Sequence, residues 1–327
     1  MAQSPISRGQ PGVAVVHSPA TSKVVERIRR YAPARTPVVF VGDTGTGKSF
    51  FARALHELSG RHGPFVEVTA AELHPDRAES QIFGHVRGAY TGAASGRAGL
   101  LNVAQGGTLL FDDFHLMDRN VQALLLRTME SRRYRQMGAD RDLDLACRIV
   151  FGVGEDLDAL VEEGRLLKDL RWRMGLCTVK VPPLSDRIDE IGGLAQKFLG
   201  ELLTDLSDGP QRVVDAAIAL LELRRYAGNV RELRGLVEDA FLAARSRGAA
   251  AVDVEDLAEH VPENVRFDRS DRPRVRRAKV AWALCKTSGR IGEAAKLLGA
   301  DRRTVAGVAR DLAFSKERPE ARRARGA

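Results

Sequence analysis

The sequence predicts an α/β fold, a parallel sheet between helices, followed by an all-α domain and a small α-helical one. Two patterns carry this. In the first half, short β-rich runs alternate with helix-length segments, as parallel strands joined by crossover helices require. From Asp186 to about Val261 the strand signals stop and amphipathic helical patterns follow one another. Charge marks off the end of the chain. The net charge is +8, and residues 264–327 hold 18 Arg and Lys against 7 Asp and Glu, or +11, leaving −3 for residues 1–263. A basic end on a near-neutral body points to a polyanion met at that end alone. A solvated tail is the plainer reading of Ser315 to Ala327, but it does not account for the apolar patterning before it.

Taken in order, residues 1–12 are polar and rich in Pro and Gly, with no apolar signal core, and are expected to be disordered. The α/β domain is expected over 13–186. Its strands are read at Pro37–Val41, Phe65–Val68, Thr108–Phe111 and Arg148–Phe151, each bounded by a helical segment such as Asn120 to Arg132. An all-helical domain over 187–262 is broken at Gly209-Pro210 and Gly228. Residues 263–277, charged and carrying Pro273, read as a linker, 278–314 as a final helical unit and 315–327 as a basic tail. No run of eighteen apolar residues exists, so no membrane span is expected. Cys147, Cys177 and Cys285 stand far apart, as small buried hydrophobes rather than ligands, in keeping with the cytoplasm.

Gly42-Asp43-Thr44-Gly45-Thr46-Gly47-Lys48-Ser49 follows a strand and opens a helix, the context the phosphate-binding P-loop requires. Its glycines let backbone N–H groups turn onto phosphates at a helix N-terminus. Lys48 would contact the β- and γ-phosphates of ATP, and the Ser49 hydroxyl would ligate Mg²⁺. Gly107 to Asp113 supplies an apolar strand ending in two carboxylates. Asp112 would hold Mg²⁺ through water and Asp113 would orient the attacking water, although two acids there could also cap the next helix.

Between these motifs lies Phe83-Gly84-His85-Val86-Arg87-Gly88-Ala89-Tyr90-Thr91-Gly92-Ala93. It resembles the loop with which sigma-54-dependent activators, the bacterial enhancer-binding proteins, touch the sigma factor, with Tyr90 in the aromatic place. The resemblance runs from about Ser18-Pro19-Ala20 through Pro182-Pro183-Leu184 to Gly228-Asn229-Val230-Arg231-Glu232-Leu233. It implies an AAA+ P-loop NTPase with an α-helical lid, a homo-oligomeric, hexameric ring, and ATP hydrolysis that remodels sigma-54 RNA polymerase. It also implies that Gly88, Ala89, Tyr90, Thr91, Gly92 and Ala93 contact the sigma factor and that Arg231 reaches the nucleotide from the lid. About a dozen residues precede it, with no sensory domain among them, so control is expected from a regulatory protein in trans, from expression level, or not at all.

The departures concern catalysis. The family's Asp-Glu is Asp112-Asp113, its restraining Asn is Thr69, and the Thr-Asn of its first sensor is Val153-Gly154. Of the two arginines given across the ring interface, the first aligns with Leu167; Arg173 is kept, with Arg171 as an alternative. Binding is expected to survive and hydrolysis to be slow or unusually regulated.

At the end of the chain, Ile291 to Gly299 and then Asp301 to Arg310 resemble the Fis-type helix-turn-helix that closes many members of this family. Gly299 would make the turn, Asp301 cap the second helix and Ala295 allow a close crossing. Arg302, Arg303 and Thr304, with Arg310, are the expected contacts to double-stranded DNA at an upstream site. A basic protein-binding module remains an alternative for this unit. For the whole chain, the alternatives are a nucleotide-sensing DNA-binding regulator with decayed ATPase activity and a AAA+ remodeller of another target.

Overall fold

Helix α1 (Pro19–Tyr31) begins where Ser18 can cap it. The Ser18 hydroxyl accepts the Thr21 N–H at 3.1 Å, and Pro19 takes the first turn, where no N–H is needed. The computed structural model describes residues 18–321 apart from Gly92, 175–176 and 262–264, and beyond Leu312 describes backbone only. Along the α/β unit follow β1 (Val38–Val41), α2 (Lys48–Leu58), β2 (Phe65–Thr69), α3 (Ala78–Phe83), β3 (Gly84–His85), β4 (Arg97–Ala98) and α4 (Leu100–Val103). Then come β5 (Thr108–Asp112), α5 (Arg119–Ser131), β6 (Arg133–Arg135), β7 (Asp142–Asp144), β8 (Arg148–Val153), α6 (Leu157–Glu162), α7 (Lys168–Met174) and β9 (Thr178–Lys180).

Among the described residues the main sheet has five parallel strands in the order β2-β5-β8-β1-β9. Successive side chains alternate between faces. Val38, Phe40, Leu110 and Val150 pack with α1 and α2 on one side. Val39, Leu109, Phe111, Ile149 and Phe151 pack with the helices of the other. A sheet covered on both faces selects continuous apolar strands, which is why β1, β5 and β8 were legible. Strand β9 was not read: it is three residues long and two of them are polar. Of two short antiparallel hairpins, β3-β4 and β6-β7, the second carried no sequence signal.

One buried arginine ties the sheet to α1. Arg148 opens β8 at 1% exposure and donates to the carbonyls of Tyr31 (2.8 Å), Ala32 (3.0 Å) and Thr36 (3.2 Å), where α1 runs out of partners. Burial, reinforced by Arg61, holds its pKa down at about 10.

The second unit, from Arg187, is helical throughout: α8 (Ile191–Leu206), α9 (Asp215–Glu222), α10 (Asn229–Ser246), α11 (Pro273–Lys286), α12 (Ile291–Leu298) and α13 (Arg302–Ala321). Pro273 does not break the chain here. It occupies the first turn of α11, so the helix begins inside the stretch expected to be a linker. Arg274 pairs with Glu222 of α9 at 2.8 Å, and Lys279 with Asp271 at 2.6 Å. Trp282 of α11, 1% exposed, shares one core with Leu220, Val254, Leu298 and Val305, and its indole N–H donates to the Ala258 carbonyl at 3.1 Å. Helix α13 also runs on to Ala321, past Ser315 where a tail was expected.

Arg148→Ala leaves the Ala32 and Thr36 carbonyls without a donor, while Tyr31 keeps the Ala34 N–H at 3.1 Å, and should destabilise the α/β unit by about 2 kcal/mol. The measurement is denaturant unfolding, in which the midpoint should fall with the slope unchanged.

Candidate nucleotide-binding site

The turn Gly42–Gly47 carries the chain from β1 into α2. Gly45 and Gly47 take φ of 77° and 97°, a region that strains any side chain. Gly42 is required for space: a Cβ there would lie 2.7 Å from the Val181 carbonyl oxygen. The Thr46 hydroxyl braces the turn, donating to the Asp43 carbonyl at 2.8 Å. Lys48 is buried, its ammonium donating to the carbonyls of Gly42 (3.0 Å) and Asp43 (3.4 Å). A lysine curled over a loop that feeds a helix N-terminus is a phosphate cradle. Ser49 is half-buried in the first turn of α2, and Asp43 and Thr44 are exposed on the rim.

Strand β5 delivers Asp112 into the same site. Its Oδ1 is buried and, among the described residues, has no hydrogen-bond partner. Burial raises its pKa, Lys48 opposes the rise and Asp113 adds to it. Gly152 on β8 makes the room, since a Cβ there would fall 2.1 Å from that oxygen. An orphaned carboxylate oxygen beside a phosphate cradle suits a hard divalent cation, so Asp112 with the Ser49 hydroxyl could hold Mg²⁺. Asp113 has φ 49° and ψ 38°, left-handed backbone that Asp tolerates better than most residues, so the shorter acid suits its place. Thr69 pairs in register with Asp112 and forms a capping box with Glu72, so its hydroxyl serves the next turn.

The space beside Gly154 is taken by His115, whose Cε1 lies 4.0 Å from where a Gly154 Cβ would be. His115 Nε2 meets Glu155 at 3.2 Å, and Glu155 receives both guanidinium arms of Arg165 at 2.8 and 2.9 Å. Burial lowers the His115 pKa and Glu155 opposes it. No motif marks this trio in the sequence: His115 stands two residues past Asp113, Glu155 one past Gly154, and Arg165 ten further on. Nor does a motif mark Lys23, Val24 and Arg27 of α1, which with Gly42, Val181 and Pro183 line a cavity of about 1020 Å³ beside the P-loop.

Arg171 is held by Asp158 at 2.9 Å, whereas Arg173 is exposed and donates to the Met129 carbonyl at 3.4 Å. Leu167 is half-buried against the core of the α/β unit, its N–H on Gln122 at 3.1 Å. In the helical unit, Arg231 is exposed on the first turn of α10. The Gly88–Ala93 segment is the tip of the β3-β4 hairpin. Gly88 N–H donates to the Ala93 carbonyl at 2.9 Å, Ala93 N–H to the Tyr90 carbonyl at 3.0 Å, and the Tyr90 ring leans on His85 at 5.2 Å. Ala89 nests against Gly138, Thr91 is exposed, and Gly92 lies outside the described residues. At the other end, Gly299 turns with φ 63° and Asp301 caps α13 through the N–H groups of Arg303 (2.8 Å) and Thr304 (3.3 Å). Arg302, Arg303 and Arg310 are exposed and Thr304 half-buried.

Comparison with known families decides what this constellation belongs to. The sigma-54 interaction domain matches residues 14–180 and the AAA+ ATPase lid domain residues 185–273. The chain belongs to the sigma-54-dependent activators. Its AAA+ domain is the ATPase domain of that family. It is 35% identical over 308 residues to the Nif-specific regulatory protein of Azotobacter vinelandii, covering 91% of this chain and 58% of that one. It is 31% identical over 258 residues to the sigma54-dependent transcriptional activator SfnR of Pseudomonas putida, covering 79% and 69%. The chain spans 44% of the Nif-specific regulatory protein of Sinorhizobium fredii. The crystal structure of NtrX from Brucella abortus in complex with ATP matches with a TM-score of 0.68 at 26% identity, over 90% of this chain and 68% of that one.

Asp112→Asn separates stability from binding in this protein. The folded-state pKa of Asp112 lies above its unfolded value, so the charged form costs stability at neutral pH and the cost fades as pH falls through the folded pKa. Asn should therefore raise the melting temperature of the nucleotide-free protein at pH 7. Affinity for Mg²⁺-ATP should fall by at least about tenfold. Calorimetric melts at pH 7 and pH 4 check the sign.

Proposed function

We propose that this protein is a transcription regulator that binds ATP and Mg²⁺, assembles as a hexameric ring, contacts sigma-54 RNA polymerase through Gly88–Ala93 and binds upstream duplex DNA through α13. The observation that carries the reading is the joint presence, in one α/β unit, of the Lys48 cradle with its orphaned Asp112 and the hairpin tip that presents Tyr90 and Thr91. The triphosphate would lie along Gly42–Lys48, and the cavity walled by α1 and Val181 suits the rest of the nucleotide. Asp113 would orient the attacking water, Arg173 would reach a neighbour's nucleotide, and Arg231 would close from the lid. No helix among the described residues is long and apolar enough to cross a membrane.

Turnover is slow in this reading. Gly154 offers no sensor side chain, Leu167 is packed inward, and Arg171 is engaged by Asp158. One missing arginine finger alone is worth roughly 10³–10⁵ in rate. The site then acts first as a nucleotide-gated assembly device.

Single-turnover hydrolysis should run below about 1 per second, low in the general enzyme range. A faster rate sinks the slow-turnover reading. Thr91→Ala should keep ATP binding and lose nucleotide-dependent capture of sigma-54; normal capture refutes the contact. Lys48→Ala should lose ATP binding yet hold DNA. Arg302→Ala and Arg303→Ala should each weaken DNA binding and reduce its salt slope by about one unit per phosphate contact. An unchanged slope and affinity would favour the protein-binding alternative.

A further inference from the structure

On the α/β unit, Arg35, Arg132 and Arg173 line one cavity of about 330 Å³ with Thr36, Pro37 and Met129. All three arginines are exposed, and among the described residues no carboxylate pairs with any of them. Arg61 stands near enough that, after burial, Arg35 and Arg132 are the next causes depressing its pKa. Some arginines of this unit do meet carboxylates, Arg165 at Glu155, Arg171 at Asp158 and Arg135 at Asp142; what sets these three apart is that Arg35, Arg132 and Arg173 share one cavity. Cations crowded without a counter-ion repel one another, and such groups cluster at functional sites.

Arg132 adds a second observation. It ends α5 with φ 58° and ψ 23°, backbone that glycine adopts freely and that costs other L-residues about 1–2 kcal/mol. That conformation leaves its guanidinium on the Leu145 carbonyl at 3.0 Å. Strain held at a charged pocket points to use of the side chain. Beside Arg173 on α7 stands Trp172, 67% exposed and among the most exposed large hydrophobic side chains described. An exposed Trp flanked by Arg is the composition of a protein–protein hot spot.

The pocket cannot serve its own chain's P-loop. Thr36 and Pro37 precede β1 and Gly42 follows it, so the two sites sit at opposite ends of a four-residue strand, about 13 Å of backbone. The geometry points to Arg35 and Arg132 joining Arg173 as a trans site for the terminal phosphates of ATP bound to a second copy of this chain, with Trp172 packed against that copy. The two arginines supply the cations that Leu167 does not. The inference rests on the ATP-driven assembly proposed above.

The test has two arms. In the first, inorganic tripolyphosphate is titrated calorimetrically into the Lys48→Ala chain, whose own P-loop is disabled. Arg35→Ala and Arg132→Gly in that background should each weaken binding about tenfold. Unchanged binding overturns the site. Glycine accepts the backbone of residue 132, so Arg132→Gly should melt no lower than the parent and a loss cannot be laid to misfolding. In the second arm, the chain with intact Lys48 is sedimented with ATP and Mg²⁺ while tryptophan emission is recorded. Assembly should shift Trp172 emission to the blue against the constant, buried Trp282. Arg132→Gly should raise the half-assembly concentration about tenfold, and Arg35→Lys should recover most of what Arg35→Ala loses. Tripolyphosphate binding that depends on these arginines, with assembly unaffected, makes free phosphate the ligand and overturns the neighbour as its source. ATP binding that survives Lys48→Ala would instead sink the P-loop reading, with the tripolyphosphate arm still decisive for the pocket.

Discussion

A carboxylate taken out of water at the end of β5, within electrostatic reach of one lysine, is the constraint around which the α/β unit is arranged. Asp112 reaches its place because β5 lies between β2 and β8. It has room because β8 carries Gly152 at the crossing point, and it faces positive charge because β1, next along, runs out into the loop that ends at Lys48. The apolar strands are buried on both faces so that three strand ends open at one edge, the crevice where ligands of doubly wound sheets bind. The unsatisfied Asp112 oxygen is a local instability that protonation or a bound metal cation relieves, an instance of a site kept at the expense of the fold.

The surrounding charges fall into two populations. Arg165, Arg171 and Arg247 are spent on carboxylates, and Arg148 on carbonyls. Arg35, Arg132 and Arg173 meet no carboxylate among the described residues, and they gather in one cavity. The family pattern places one arginine at Leu167, but in this chain that side chain is packing against the core. What an alignment records as a lost residue is, in three dimensions, a cationic surface rebuilt from α5, α7 and the approach to β1.

Much of this was legible in the sequence because its signals are local. Gly42–Ser49 and Thr108–Asp113 are contiguous runs whose chemistry needs those residue types in that order, and Gly299 with Asp301 marks a turn by backbone demand alone. What stayed hidden depends on distance in sequence. His115, Glu155 and Arg165 meet from three segments, and Lys23 and Arg27 reach the cavity from a helix that carried no motif. Strand β9 was missed because three residues give periodicity nothing to act on. Pro273 was misread because the same residue ends one helix and begins another, and only packing against Glu222 decides which.

The core that α9 shares with α11, α12 and α13 has a geometric consequence for DNA. A recognition helix on a slack tether reaches many rotational positions, so the phase of its site around the duplex matters little. With Trp282 and Val305 packed against Leu220 and Val254, α13 is instead set at a fixed angle to the lid from which it grows. In the proposed reading, paired upstream sites would have to present their grooves on one face of the double helix. Their spacing would be counted in whole helical turns, and half a turn would be the forbidden step.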